Sequence, residues 1–160
     1  MNEKIVGLYP CSKSMQEVEI FGYSSRGIPG IEVNGFGCFN KIFKEKIIFS
    51  LKNRKIKLPL KRFVLSTTIP IQIIKKHHED YTWLELPAFI IILKLLDSIP
   101  IRNLDNCFCS GKVNLNGKIN IFDYKNINTS NLANTKKTFL VDKKNSLNFN
   151  KFILIEDLLN

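Results

Sequence analysis

The chain has 160 residues, 44% of them apolar, and a formal net charge of +10 at pH 7. This length predicts one domain spanning residues 1–160 around one hydrophobic core. Its 22 isoleucines and 12 phenylalanines argue against intrinsic disorder. The first fifteen residues lack the apolar run of a secretory signal, and the most apolar stretch, residues 83–96, is too short to span a bilayer. We therefore expect a cytoplasmic protein that does not bind membranes.

Apolar periodicity predicts the elements in chain order. Strands are expected at residues 3–8, 16–23 and 31–36, an amphipathic helix at 39–51, a central strand at 62–69, a polar loop at 72–81 and a buried helix at 85–97. A hairpin follows, with strands at 107–113 and 118–124 around an Asn-Gly turn. Strands at 138–141 and 152–155 precede a short helix at 156–159. This order predicts an α+β (two-layer α/β) fold with a mixed sheet and two main helices.

Three details of this pattern can be checked. The apolar positions of the first helix are Phe39, Ile42, Phe43, Ile47 and Leu51. The second helix should begin near Glu85, so that Pro87 falls in its first turn, where proline is tolerated. That helix is apolar almost all round and must be covered on most sides.

Positive charge is concentrated between residues 41 and 62, which contain nine basic residues and one acidic residue. Such an excess attracts polyanions, chiefly nucleic acid. The 20 lysines against four arginines favour phosphate contacts over base reading. An A/T-rich coding bias would also enrich lysine, and the same charges could simply solvate a helix face and a loop.

The four cysteines, Cys11, Cys38, Cys107 and Cys109, include no C-x-x-C pair. We interpret them as reduced and mostly buried thiols, with Cys107 and Cys109 on one face of a strand. A zinc site that combines this pair with the adjacent histidines at 77 and 78 is disfavoured relative to core cysteines and a solvated loop.

Several local strings occur in the order seen in one protein family. They are Ile5-Val6-Gly7, Val18-Glu19-Ile20, Gly27-Ile28-Pro29-Gly30, Ser50-Leu51-Lys52-Asn53, Leu58-Pro59 with Lys61-Arg62, Leu84-Glu85-Leu86-Pro87-Ala88, Gly111 to Ile119 and Leu140-Val141-Asp142. Together with the closing segment Leu154 to Leu159, they extend over about 155 residues. In this arrangement the chain resembles the N-terminal, magnesium-chelatase-like domain of the ComM/YifB competence proteins.

The resemblance implies the fold of the Lon proteolytic domain, also called the ribosomal S5 domain 2-like fold. In full-length relatives this domain precedes an AAA+ ATPase that drives branch migration of DNA during recombination. The Gly-Lys pairs of this sequence, at 111–112 and 117–118, lack the spacing and the hydroxyl residue of a phosphate-binding loop. The ATPase would therefore have to be a separate partner.

Lon-type proteolysis needs a serine at the start of the second helix and a lysine after the hairpin. Residues 83–88 contain neither serine nor cysteine, Thr82 lies one turn too early, and Lys125 has no nucleophile to activate. Glu85 stands where the family has aspartate and is expected to cap backbone amides. The family's Lys-Glu-Gly string is replaced by residues 75–77, and residues 126–134 form helices poorly.

These observations predict a non-catalytic, stand-alone Lon-like domain without metal or cofactor, which binds nucleic acid as an accessory of DNA processing or recombination. The expected contacts are to phosphates, from Lys52, Arg54, Lys55, Lys57, Lys61, Arg62, Lys75 and Lys76. The alternative is a protein-interaction or oligomerisation scaffold, because relatives of this fold form rings. A decayed remnant that folds but does little is the third possibility.

Overall fold

A computed structural model describes residues 1–67, 80–133 and 135–159, which form nine strands and four helices. These are β1 (Asn2–Cys11), β2 (Ser14–Ser25), β3 (Gly30–Asn34), α1 (Asn40–Asn53), β4 (Arg62–Thr67), α2 (Glu85–Leu95), β5 (Cys107–Cys109), β6 (Gly111–Val113), β7 (Ile119–Ile121), α3 (Ser130–Ala133), β8 (Thr138–Val141), β9 (Phe152–Leu154) and α4 (Ile155–Leu159). The predicted strand at 62–69 is confirmed as far as Thr67. Most of the predicted loop at 72–81 lies outside the described residues.

Seven of the strands form one mixed sheet in the order β3-β4-β2-β1-β5-β8-β9. β1 pairs antiparallel with β2 over ten residue pairs, and β2 pairs antiparallel with β4. The remaining pairs in this sheet are parallel. β6 and β7 form a separate antiparallel hairpin. The predicted α+β class and mixed sheet are therefore confirmed.

Alternation along β1 and β2 determines which side chains face the helices. Ile5 and Tyr9 of β1 and Ile20 of β2 belong to the core between sheet and helices. Val6 and Leu8 point to the opposite face of the sheet. The two-residue period of a strand explains this division.

α2 is buried along its whole length except at Lys94. It begins at Glu85 with Pro87 in its first turn, as predicted. Gly22 of β2 lets the helix lie close to the sheet, because a Cβ on Gly22 would meet Ile91 Cγ2 at 2.6 Å. A helix this apolar requires cover on every side, and the sheet, α1 and the hairpin supply it.

α1 packs through Phe43, Ile47 and Leu51, which are buried at helical spacing. Phe43 also contacts Phe36, with ring centroids 4.8 Å apart. Ile42, which the sequence placed on this apolar face, is instead 49% exposed. The expectation was wrong because Ile42 precedes Phe43 by 100° around the helix and so lies on its solvent side.

A second apolar cluster covers the other face of β1, β5 and β8. Its rings contact one another in series: Phe139 stacks on Phe149 at 3.8 Å, Phe149 meets Tyr124 edge-on, and Tyr124 meets Phe122. The chain after the hairpin supplies Phe122 and Tyr124, and the loop between β8 and β9 supplies Phe149. These irregular segments therefore cover the second face of the sheet at β1, β5 and β8.

The strand predicted at 107–113 is divided in two by Ser110. Cys107 and Cys109 face the core from β5, as expected, and Phe108 faces the other way. The chain after Ser110 leaves the main sheet and pairs with β7. The Asn-Gly turn is confirmed, because Gly117 takes φ +79° between β6 and β7.

Two isoleucine-to-alanine variants test the assignment of core and surface. Ile91→Ala removes a side chain with no exposed surface and should lower the free energy of unfolding by about 2–5 kcal/mol, since it leaves a cavity. Ile42→Ala should change it by less than about 0.5 kcal/mol. Urea denaturation of both variants measures the difference. Equal losses would contradict the placement of Ile42 at the surface.

Candidate nucleic-acid interface

The basic segment comprises the last turn of α1, the loop that follows it and the first residue of β4. Lys52, Lys55, Lys57 and Lys61 are all exposed. Among the ion pairs formed within the described residues, none involves these four side chains. Their ammonium groups are therefore open to an external anion.

The end of α1 explains the position of Lys55. The N–H of Ile56 donates to the carbonyl of Leu51 at 2.9 Å, and the N–H of Lys55 donates to that of Lys52 at 2.9 Å. This pair of bonds is a Schellman motif, whose left-handed residue is usually glycine. Lys55 occupies that position with φ +57°, a conformation that a side chain disfavours. Lys55 therefore places a cation at a position where the backbone conformation favours glycine.

The loop after Lys55 alternates between core and solvent. Ile56 and Leu58 pack against the core, and Lys57 between them is exposed. At the end of the loop, the carbonyl of Lys61 accepts a hydrogen bond of 3.1 Å from the N–H of Gly30 at the start of β3. The packing of Ile56 and Leu58 and one backbone hydrogen bond therefore fix the backbone of the loop that carries the lysines.

Arg54 points inward, in contrast to its neighbours. Its Nη1 donates to the carbonyl of Leu159 in α4 at 3.0 Å, and the guanidinium lies 5.9 Å from the ring centroid of Phe89 in α2. Its Nε is buried. Arg54 therefore joins the ends of α1 and α4 above α2.

Arg62 is paired with Glu32 of the neighbouring strand β3. Its Nη2 and Nε donate to one carboxylate oxygen at 2.7 and 3.1 Å. The hydrogen bond to Glu32 raises the pKa of Arg62, and hydrogen bonds from Asn34 and Arg62 lower the pKa of Glu32. The positive charge of Arg62 is largely balanced within the chain.

The structure thus leaves four of the eight predicted cations exposed and outside the ion pairs of the described residues, and it places Arg54 and Arg62 in intramolecular contacts. Lys75 and Lys76 lie outside the described residues. Sequence reasoning did not include Lys41 and Lys44 in the site, although both lie within the stretch of concentrated positive charge from 41 to 62. They lie on α1 beside the edge of β3, where they line a separate groove.

A buried ion pair lies on the other side of α1. Lys46 Nζ donates to Glu85 Oε1 at 2.6 Å, and the second oxygen of Glu85 accepts the N–H of Val113 at 2.9 Å. Glu85 is only 3% exposed. One carboxylate therefore joins α1, α2 and the hairpin, and the expectation that Glu85 caps a backbone amide is confirmed.

The cysteines differ in exposure. Cys107 and Cys109 are buried, as expected, whereas Cys11 is half-buried and Cys38 is exposed, so the prediction of burial is wrong for Cys38. Burial raises the pKa of Cys107 to about 11 and also raises that of Cys109, so both of these thiols stay protonated near neutral pH. No group of three or more His, Cys, Asp or Glu side chains in the described part of the chain could hold a metal ion. The histidines at 77 and 78 fall outside it.

Comparison with known proteins gives no family assignment. A scan against models of protein families finds no match, and a search of curated proteins finds no significant similarity. Among the described helices, none is long and apolar enough to cross a membrane.

Glycine variants at two left-handed positions test whether the backbone conformation lowers stability regardless of the charge that is removed. Lys55→Gly relieves the left-handed strain and should raise the free energy of unfolding by about 1 kcal/mol, and the melting temperature by about 2–4 °C. Asp97 is the matched control: it has φ +50° after α2, with the N–H of Ser98 bonded to the carbonyl of Leu93 at 2.9 Å. Asp97→Gly should give a similar gain while removing a negative charge. Calorimetry of both variants tests this, and a loss of stability in either would contradict it.

A double-mutant cycle tests the buried pair. Lys46→Met leaves the carboxylate of Glu85 without its counter-charge and should cost about 3–5 kcal/mol of folding free energy. Combining Lys46→Met with Glu85→Gln removes the uncompensated negative charge and keeps an oxygen that accepts the hydrogen bond from Val113 N–H. The double variant should therefore be more stable than Lys46→Met alone in urea denaturation. Strictly additive losses would show that the two side chains are not coupled.

Proposed function

We propose that this chain binds nucleic acid, chiefly the phosphate backbone of DNA, as a non-catalytic accessory of DNA processing or recombination. The observation that carries the proposal is the set of four exposed, unpaired lysines: Lys52, Lys55, Lys57 and Lys61. They follow one another along ten residues of chain, in which Ile56 and Leu58 pack against the core. Arrays of this kind neutralise phosphates and release counterions.

The chemistry of the four cations favours binding that is independent of sequence. Lysine is a point charge on a flexible stem, whereas bidentate reading of guanine is typical of arginine. Both arginines of the basic segment are held by partners in the chain, Arg54 by a carbonyl and Arg62 by a carboxylate. Phosphate contacts should therefore dominate over contacts to base edges.

The resemblance to the ComM/YifB N-terminal domain supports the same proposal. A Lon-like fold is compatible with the observed mixed sheet, with α2 beginning at Glu85-Leu86-Pro87 and with the β6–β7 hairpin. On this basis the chain is a Lon-like domain of the cytoplasm that works beside a separate AAA+ ATPase, alone or as a homo-oligomer. Its residues 83–88 supply no nucleophile, so we propose no catalytic role.

The salt dependence of DNA binding tests the interface. Four phosphate contacts predict a slope of log K against log salt concentration of about −3.6 for duplex DNA and about −2.8 for single strands. Lys55→Glu combined with Lys57→Glu should weaken binding at least tenfold and bring the duplex slope to about −1.8. Fluorescence anisotropy at several salt concentrations measures both quantities.

The matched control carries the same change of net charge elsewhere. Lys13 and Lys143 are also exposed, and Lys13→Glu with Lys143→Glu should leave most of the affinity and the slope intact. If both pairs of variants weaken binding equally, only the total charge matters and the interface is wrong. A salt-insensitive oligomer without affinity for DNA would instead support the scaffold alternative; light scattering on the same samples detects it.

A further inference from the structure

The outer edge of β3 is not paired with any other described strand. The N–H of Gly30 donates to the carbonyl of Lys61, and β3 runs parallel to β4 with Gly30 opposite Arg62. Because a parallel strand directs alternate residues toward the same neighbour, Gly30, Glu32 and Asn34 bond to β4. The backbone groups of Ile31 and Val33 therefore point away from the sheet, where a further strand could use them.

A groove of about 690 Å³ follows this edge. One wall is β3 from Gly30 to Val33, and the other is the first half of α1, including Lys41 and Lys44. The five residues of β3 extend for about 17 Å, which matches a short extended peptide. The groove thus combines unused strand hydrogen-bonding groups with a helical wall.

The charge of the groove favours an acidic occupant. Lys41 and Lys44 form none of the ion pairs found within the described residues. The carboxylate of Glu32 is bound by Arg62 at 2.7 Å and also lies within electrostatic range of Lys44, so it offsets part of this charge. Glu45 is the remaining acidic side chain of the lining, and the net charge of the groove is positive.

Two exposed apolar side chains stand at one end of the sheet. Ile28 and Leu60 are each 88% exposed, and each lies two residues before the start of a strand, β3 and β4 respectively. Since Gly30 and Arg62 are opposite each other, Ile28 and Leu60 belong to the same end of the sheet. Ile28 also lines the groove, where it adds an apolar contact at that end.

We propose that the outer edge of β3 binds an extended acidic segment of another protein, which adds to the sheet as a further strand. Main-chain bonds to Ile31 and Val33 supply affinity, and acidic side chains at alternate positions meet Lys41 and Lys44. A second copy of this chain fits less well, because two-fold pairing of β3 with itself would bring two pairs of lysines together. The proposal does not depend on nucleic-acid binding.

A fluorescent seven-residue peptide that alternates glutamate and valine is a suitable probe. We expect it to bind the full chain and to slow hydrogen exchange at the amides of Ile31 and Val33, followed by NMR. Lys41→Glu with Lys44→Glu should weaken binding at least tenfold. Lys55→Glu with Lys57→Glu, which disrupts the proposed DNA contacts, should leave it unchanged.

Peptide controls separate strand addition from charge attraction. The same peptide with N-methylated amides keeps its charge but cannot donate hydrogen bonds, so it should lose binding. Equal binding of both peptides, or unchanged exchange at Ile31 and Val33, would overturn the proposal.

Other occupants are also distinguished. The protein without peptide could form a dimer, which sedimentation would detect. If the amides of Ile31 and Val33 are protected in that dimer, the edge binds a second copy of the chain and the proposal of an acidic partner is wrong. An oligonucleotide that protects the same amides and loses affinity on reversal of Lys41 and Lys44 would assign the groove to nucleic acid, with the same consequence.

Discussion

The burial of α2 is the constraint on which the rest of the structure depends. Ten of its eleven residues are buried, so every neighbouring element must present apolar surface to it. Gly7 and Gly22 provide room on the sheet; a Cβ on Gly7 would meet Leu84 Cδ2 at 2.7 Å, just before the helix begins. The polar start of this helix, Glu85, is tolerated because Lys46 and Val113 N–H satisfy its carboxylate. Apolar cover and one ion pair thus fix α1 and the hairpin together.

The surface chemistry of the basic segment follows from that arrangement. α1 packs its buried stripe against the core, which directs its remaining lysines either to solvent or, for Lys46, to Glu85. The longer guanidinium of Arg54 reaches over α2 to α4, and Arg62 reaches across to β3. Geometry therefore sets which cations are available: Arg54, Arg62 and Lys46 bond within the chain, whereas the lysines of the basic segment are exposed.

Periodicity made much of the fold predictable. The β1–β2 alternation, the start of α2 at Glu85 and the Asn-Gly hairpin each depend on neighbours within a few residues, which a sequence displays. The break at Ser110 was missed because no turn signal separates β5 from β6, which differ in their distant partners. Ile42 was misplaced because a spacing of three or four residues does not define the width of a helix face.

The candidate site was predictable in location but not in detail. Local charge density indicated residues 41–62, whereas the partners of Arg54 and Arg62 are Leu159 and Glu32, which are 105 and 30 residues away. The left-handed backbone at Lys55 was unforeseen, since glycine is the usual signal for it. No sequence motif indicates the groove beside β3, because only the assembled sheet shows which strand edge is left unpaired.

The parallel half of the sheet has a consequence for the order of folding. β1 pairs with β2 through contacts that are local in the sequence. Its other edge pairs with β5, in which Phe108 lies opposite Val6, about a hundred residues later in the chain. Loop closure over about a hundred residues is slow compared with formation of a hairpin. During synthesis the β1 edge therefore stays unpaired until residues 107–109 have left the ribosome. That interval is when association between nascent chains competes most strongly with correct assembly.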